Sequence, residues 1–202
     1  PMNNPLSDPV NNPPNNPDSN PTPKHNGPWQ VTFSEEKYKN PWISVREDKV
    51  IHPDGKPGIF GIVNIISGVS VLAIDKDNNV YLTKEFRYAI RKPSIEVVSG
   101  CIDPGELAID AAKRELKEEI GIIAQKWTHI GDTKPITSIV DTKADLFLAQ
   151  ELEFTQASPD PSEIIEMQKV PLSQAIQMVM NSEIMHTPSC LLILQAARLL
   201  GH

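Results

Sequence analysis

The sequence predicts an α+β fold: a mixed β-sheet packed against one central helix and two C-terminal helices. Two observations lead there. Short β-branched runs separated by turn signals fill residues 42–99, and a helical run without Gly or Pro then begins at Glu106. Strand-like runs resume near Trp127, and two further helical runs follow Pro171 and Pro188. Hairpins first, one helix in the middle and two at the end do not alternate as a wound βαβ sheet would. No repeat at a solenoid period is visible.

Taken in order, residues 1–28 stand apart. They hold nine of the 19 prolines, interleaved with eight asparagines, as in Asn11-Asn12-Pro13-Pro14-Asn15-Asn16-Pro17. Such a segment neither builds a regular ladder nor buries apolar area, so residues 1–28 are expected to be a disordered tail. A docking arm in extended polyproline conformation is the alternative, although no positively charged PxxP motif is present. Residues 29–202 are then expected to form a single domain, with N-terminal strands over 29–66. Trp42 to Val50 and Gly58 to Ile66 flank Pro53-Asp54-Gly55 and read as a hairpin. Val69 to Asp75 and Val80 to Arg87 repeat the device around Asp77-Asn78-Asn79, and a short strand, Ser94 to Ser99, follows. Asp103-Pro104-Gly105 is a turn, Glu106 to Ile120 a helix, and Gly121 its C-terminal stop. Strands are expected over Trp127 to Asp132, Ala144 to Leu152 and Ile164 to Val170, and helices over Leu172 to Met180 and Ser189 to Leu200.

Composition narrows the function. The chain has 202 residues, 19 Lys+Arg against 26 Asp+Glu, and a formal net charge of -7. An acidic protein of this size has no large handle for a phosphate backbone, so a dedicated nucleic-acid partner is not expected. Small phosphorylated ligands remain open if a metal supplies positive charge. Two cysteines, Cys101 and Cys190, make no disulfide framework, and a cytoplasmic setting is expected. No apolar run reaches the roughly 18 residues of a membrane span; the longest stretch, Ile59 to Ile74, is broken by Gly61, Asn64, Ser67, Gly68 and Ser70.

The chemistry concentrates on the central helix. Glu115, Glu118 and Glu119 lie one turn apart and converge on one patch beside the apolar stripe Ala108, Ala112, Leu116 and Ile120. Carboxylates at the margin of a core are partly desolvated and mutually repulsive, and a cation relieves both. Oxygen ligands without a His/Cys cluster suit Mg²⁺, or Mn²⁺ in its place, and not zinc. Arg114 can pair with Glu118 at i,i+4 and orient it.

The full spacing is more specific. Gly100, five residues, Glu106, seven residues, Arg114-Glu115-Leu116, one residue, Glu118-Glu119, one residue, Gly121-Ile122 would arise by composition roughly once in ten million chains of this length. It resembles the Nudix box without departure, and the wider resemblance to Nudix hydrolases runs from about Asn40 to Leu200. That resemblance implies an α/β/α sandwich in which the box forms a loop, a helix and a loop, with metal held against a diphosphate that water cleaves. It implies Glu115 and Glu119 as principal metal ligands, Glu118 as an additional ligand, and the carbonyl of Ser99 as another. It also implies structural roles for Gly100, Glu106, Arg114 and Gly121. Phrases such as Asn40-Pro41-Trp42, Glu85-Phe86-Arg87-Tyr88 and Ile102-Asp103-Pro104-Gly105-Glu106 resemble the ADP-ribose (ADP-sugar) pyrophosphatase group. In that group the arginine matching Arg87 contacts the diphosphate, Glu96 stands in the phrase before the box, and the N-terminal strands, here within 29–66, build a homodimer. The substrate so implied is a nucleoside diphosphate sugar, with ADP-ribose hydrolysed to AMP and ribose 5-phosphate. GDP-mannose, NADH or a dinucleoside polyphosphate, and a binding module without turnover, are the alternatives.

One departure is informative. The group's Ser-Pro-Gly phrase beyond the box reads Pro135-Ile136-Thr137-Ser138 here, and Thr142 beside Asp141 stands where a glutamate is usual. Similar enzymes place a catalytic base in a mobile acidic loop; Thr155 to Glu163 offers Glu163 first and Asp160 second, and Asp141, outside that loop, is the third candidate. Trp42 and Tyr88 are more consistent with a core or interface than with base stacking. His129 and His186 have no ligand-spaced neighbours and read as ordinary, and Cys101 has no partnering His.

Overall fold

The computed structural model of the chain describes residues 24–201. Where the sequence suggests one domain from residue 29, the backbone falls into two compact units: residues 24–34 with 48–60, and residues 35–47 with 61–201.

In the first unit, β1 (Lys24–Asn26) pairs antiparallel with the start of β2 (Trp29–Lys39), Lys24 opposite Val31 and Asn26 opposite Trp29. Gly27, at φ 58°, opens the two-residue loop between them. The tail expected over 1–28 is therefore corrected at its end: Lys24 to Pro28 form a hairpin arm, and the expectation for residues 1–23 lies outside the described residues. The hairpin is anchored by Trp29, whose ring lies 4.7 Å from that of His52 and 5.7 Å from that of Phe60. His52 begins the Pro-Asp-Gly turn that joins β3 (Ile43–Ile51) to β4 (Pro57–Ile65), as its residues predict; Gly55 takes φ 84° and His52 N–H donates to the Lys56 carbonyl at 2.8 Å. β2, β3 and β4 each have residues in both units.

The second unit carries the functional half. It is built on a sheet of order β12-β6-β5-β11-β9, formed by β5 (Gly68–Ile74), β6 (Asn79–Arg87), β9 (Ile122–Thr133), β11 (Ala144–Phe154) and β12 (Glu166–Pro171). β10 (Val140–Asp141) runs parallel to β4 instead, at Val63 and Asn64. The sheet is mixed, because β5 and β11 are parallel and the other pairs antiparallel. Side-chain alternation supplies a core on each face. Val69, Val71, Ala73, Phe147 and Ala149 pack with Ala112, Leu116 and Ile120 of α1 (Ala108–Ile120). Leu72, Ile74, Leu146 and Leu148 pack on the other side with α2 (Leu172–Met180) and α3 (Thr187–Leu200). This is the α/β/α sandwich the sequence predicts.

Two local differences matter. β9 starts at Ile122 rather than Trp127, because Ile122 and Ala124 are buried in the α1 core although the exposed Gln125 and Lys126 interrupt the apolar run. The single strand expected over Ser94 to Ser99 is two: β7 (Lys92–Glu96) pairs with β6, and β8 (Val98–Cys101) pairs with β5. β5 and β6 pair with each other only at Ala73–Tyr81 and Ile74–Val80, then diverge, and β7 and β8 fill the gap. At the switch, Val97 is fully buried and its N–H donates to Ser189 Oγ at 3.0 Å, which satisfies a donor left out of both ladders.

At the closed end, where β5 and β6 do pair, Asp75 organises the turn. Its carboxylate accepts from the N–H groups of Asp77 and Asn79 at 3.0 and 2.8 Å and pairs with Lys169 at 2.9 Å. Burial works to raise its pKa, but Lys169 and the Asn79 and Asp77 donors outweigh burial and hold it below the ordinary carboxylate range. A depressed pKa contributes stability above the unfolded value that is lost as pH falls through the folded one. Asp75→Ala should therefore destabilise by about 2 kcal/mol at pH 7, with the difference from wild type narrowing below about pH 4, as urea unfolding at the two pH values will read.

Candidate active site

The site forms where β5 and β6 diverge, with α1 laid across the opening. α1 has no side-chain N-cap. Its entry is instead held by Glu106, whose carboxylate accepts the Asp103 N–H at 3.0 Å and two Arg114 N–H groups at 3.0 and 2.9 Å. Arg114 also donates to the Cys101 carbonyl at 3.0 Å and to Glu115 at 2.7 Å, and reaches Glu118 at 3.4 Å. One guanidinium thus ties β8, the loop and the helix together.

The helix then brings its acids to the sheet. A Cβ built on Gly100 would lie 2.0 Å from the Glu115 Cδ, so only glycine lets that carboxyl lie against β8. Burial raises the Glu115 pKa, aided by Glu118 and Glu163 and opposed by Arg114. Glu119 is more extreme: burial, then the charges of Glu115, Glu163 and Glu85, push it up to about 9 against the opposing pull of Arg87. Without a cation, Glu119 is protonated at neutral pH. Glu118 is the more exposed of the three.

Across the opening, Arg87 ends β6. It pairs with Glu85 at 2.6 Å and donates two hydrogen bonds to Glu96, at 3.1 and 2.8 Å. Glu96, expected to bind substrate, has a side chain only 8% exposed, and both its oxygens hold Arg87. Burial works to raise its pKa, yet Arg87, His186 and Ser94 together hold it below the ordinary range. Ser99 lies in β8 opposite Ser70; their hydroxyls are 3.0 Å apart, and Ser99 Oγ donates to the Val97 carbonyl.

The loop after β11 is seated on the end of α1. Thr155 N–H donates to the Gly121 carbonyl at 2.7 Å and Ser158 N–H to the Glu118 carbonyl at 2.9 Å. Gly121 takes φ 64°, and a Cβ there would lie 2.4 Å from the Thr155 oxygen and 2.7 Å from the Ala157 nitrogen. The glycine is therefore both helix stop and seat for the loop. Of the loop acids, Asp160 turns onto its own chain, accepting from Ser162 Oγ at 2.6 Å and N–H at 2.8 Å, while the charge of Glu163 acts on Glu85, Glu115 and Glu119. Asp141 pairs with Lys134 at 3.0 Å.

Two participants were not legible as such. Glu85 is the second carboxylate on Arg87. His186, which reads as ordinary in sequence, lies at the start of α3 with Nδ1 2.8 Å from Ser189 Oγ and 3.5 Å from Glu96. The nearest sequence signal was Pro188 with a serine beside it at a helix start. Trp42 and Tyr88 fill no core in this chain, being 64% and 91% exposed.

The donor set fits a hard divalent cation: oxygens only, crowded, and with one acid held neutral for want of positive charge. Among the described residues no three His, Cys, Asp or Glu side chains already stand close enough to hold an ion.

Comparison with known proteins fits this geometry. The sequence model described as NUDIX domain matches residues 65–187, and the one described as nucleoside diphosphate sugar hydrolase N-terminal domain matches residues 29–63. An ADP-ribose pyrophosphatase of Bacillus subtilis (strain 168) is 29% identical over 152 residues, 74% of this chain and 82% of that protein. A methanol dehydrogenase activator of Bacillus methanolicus is 24% identical over 153 residues, 75% and 83% of the two chains. A crystal structure of an ADP compounds hydrolase superposes with TM-score 0.77 at 20% identity, covering 88% of this chain and 97% of that one, a likeness of fold.

Two outcomes follow. An acid with a raised folded pKa weakens the fold as pH rises above its unfolded value, so metal-free Glu119→Gln should be more stable than wild type by about 1–2 kcal/mol at pH 8 and nearly equal to it at pH 4, by urea unfolding. Gly121→Ala should cost about 1–3 kcal/mol from left-handed backbone strain and displacement of the loop, and should lower kcat beyond what its loss of folded protein explains, by turnover per folded molecule.

Proposed function

Because the chain belongs to the Nudix hydrolase family, we propose that it hydrolyses the diphosphate bond of a nucleoside diphosphate sugar. ADP-ribose, giving AMP and ribose 5-phosphate, is the first substrate. The observation that carries the reading is the crowd of acids around the buried Glu119 with Arg87 beside it, a site that binds phosphate only when a cation joins. The relatives' names favour ADP compounds.

Glu115, Glu119 and Glu118, with the Ser99 carbonyl, would hold Mg²⁺, or Mn²⁺ in its place. The chemistry supplied by the bound ion is neutralisation of phosphate charge and acidification of water. Three of Arg87's five N–H groups are committed to Glu85 and Glu96, and the others are open to diphosphate oxygens. The two carboxylates fix the guanidinium before substrate arrives. Glu163, whose charge acts on Glu115 and Glu119, would take a proton from the attacking water as the P–O bond to the leaving phosphate ester breaks, and Asp160 shapes its turn, where Glu163 N–H donates to the Asp160 carbonyl at 2.8 Å. Phe33, Tyr38, Trp42, Ile59, Ile65 and Ile66 are exposed between residues 29 and 66, which favours a homodimer through this segment. Cys101 and Cys190 are free, as suits a reducing cytoplasm, and no helix among the described residues is long and apolar enough to cross a membrane.

The experiment is a panel with Mg²⁺: ADP-ribose, other ADP-sugars, GDP-mannose, NADH and a dinucleoside polyphosphate, scored for mononucleotide release. ADP-ribose should turn over fastest, Glu119→Gln should lose at least about 10²-fold in kcat, and Glu163→Gln about 10²-fold. No turnover of any compound by wild type would remove the hydrolase reading and leave a binding module.

A further inference from the structure

Beside the acid cluster, and sharing Arg87 and Ser99 with it, lies a cavity of about 760 Å³ lined also by Ile90, Lys92, Ser94, Glu96, Met185 and His186. Its volume suits a sugar-sized group. None of its lining residues is Phe, Tyr or Trp, so it offers no aromatic platform for a nucleobase.

Its electrostatics are opposite to those of the neighbouring acids. In a chain of net charge -7, Arg87, Arg91 and Lys92 fall within six residues at the β6–β7 hairpin. Arg87 and Lys92 stand directly opposite each other in the antiparallel register, a like-charge pair that works against the sheet. Arg91 takes φ 55°, a conformation in which a long side chain is unfavourable and Gly or Asn would be easier. Arg87 is compensated by two carboxylates. Lys92 has no carboxylate within ion-pair distance among the described residues; its recorded contact is Met185 Sδ at 4.0 Å. Lys92 and Arg91 are the cations of this group for which no carboxylate partner is found among the described residues.

His186 adds a directional donor. Ser189 Oγ accepts the Val97 N–H, so its own proton is free to go to His186 Nδ1, 2.8 Å away. In the tautomer in which Ser189 donates, the His186 proton is on Nε2, and His186 is part of the cavity wall. A neutral imidazole N–H, an unpaired ammonium and the open N–H groups of Arg87 form a donor set for an anion, with Ile90 and Met185 as apolar walls.

We infer that this cavity receives the non-nucleoside half of the substrate and selects a terminal anionic group on it, a phosphate monoester or a carboxylate, through Lys92 and His186. The inference rests on the hydrolase reading for its kinetics and on binding alone for its decision. Full-length protein with Mg²⁺ is given two matched pairs: ADP-ribose with ADP-ribose 1″-phosphate, and ADP-glucose with ADP-glucuronic acid. The acidic member of at least one pair should have the higher kcat/KM by roughly fivefold or more at low salt, chiefly through KM, the scale of one ion pair plus a hydrogen bond. The preference should shrink with added salt. Which pair shows it separates phosphate from carboxylate. Lys92→Met, which keeps the apolar stem, should bring the ratio near one, while Lys126→Met on β9 should not. If no compound turns over, the hydrolase reading fails, and titration calorimetry of the same pairs with wild type and Lys92→Met then decides the subsite by the same ratios in Kd. Equal values within both pairs, or a ratio unmoved by Lys92→Met, overturns the inference.

Discussion

The crowding of the half-buried Glu119 carboxyl among other acids is the constraint on which the functional half depends. α1 must bury Ala112, Leu116 and Ile120 against the sheet to be a stable helix at all, and Glu119 immediately precedes the last of them. The core that stabilises the helix thereby desolvates the acid. Every neighbour near enough to matter, save Arg87, makes this worse by adding negative charge. The architecture therefore holds a standing electrostatic debt that a divalent cation would remove.

Several apparently separate features become one device when traced from that point. Arg114 neutralises part of the cluster without entering its centre, because Glu106 and the Cys101 carbonyl hold it to the loop side. Gly100 and Gly121 are both sites of close approach, the first to the Glu115 side chain from β8 and the second to a loop backbone at the C-terminal end of α1. Divergence of β5 from β6 makes the opening, and β7 and β8 bring Glu96 and Ser99 to its rim from one continuous stretch of chain. Ser189 then closes the one backbone donor that this change of partners exposes. Substitution at Ser189 would accordingly act on the site through the sheet and through His186.

What could be read in sequence follows the range of the forces involved. Hairpins around Pro53-Asp54-Gly55 and Asp77-Asn78-Asn79, the helix ended by Gly121, and the spacing of Glu115, Glu118 and Glu119 are local, set by turn chemistry and helical period. The division of 94–99 into two strands is not local, since it depends on how far apart β5 and β6 have moved. Glu96 shows the same limit: its position in the phrase before the box was visible, but its attachment to Arg87 depends on β7 folding back on β6. His186 was passed over because its partners, Glu96 and Val97 through Ser189, are about 90 residues away in sequence. The hairpin at Lys24 was hidden by the composition of its neighbours, which outweighed the turn signal of Asn26-Gly27.

Asp75 and Glu119 show how one sheet gives two carboxyls opposite fates. Both are withdrawn from water, and in both burial is the largest influence and disfavours charge. At Asp75 the chain turns so that backbone N–H groups of Asp77 and Asn79 face the carboxylate, and Lys169 arrives from β12; the charge is held, and the turn with it. At Glu119 no hydrogen-bond donor to the carboxyl is found among the described residues, and Arg87, the cation acting on it, spends three of its five N–H groups on Glu85 and Glu96. The difference is one of donors that actually meet the carboxylate. A donor introduced beside Glu119 would stabilise its charged form as the Asp75 turn does, and by satisfying the carboxylate would weaken any demand there for a cation.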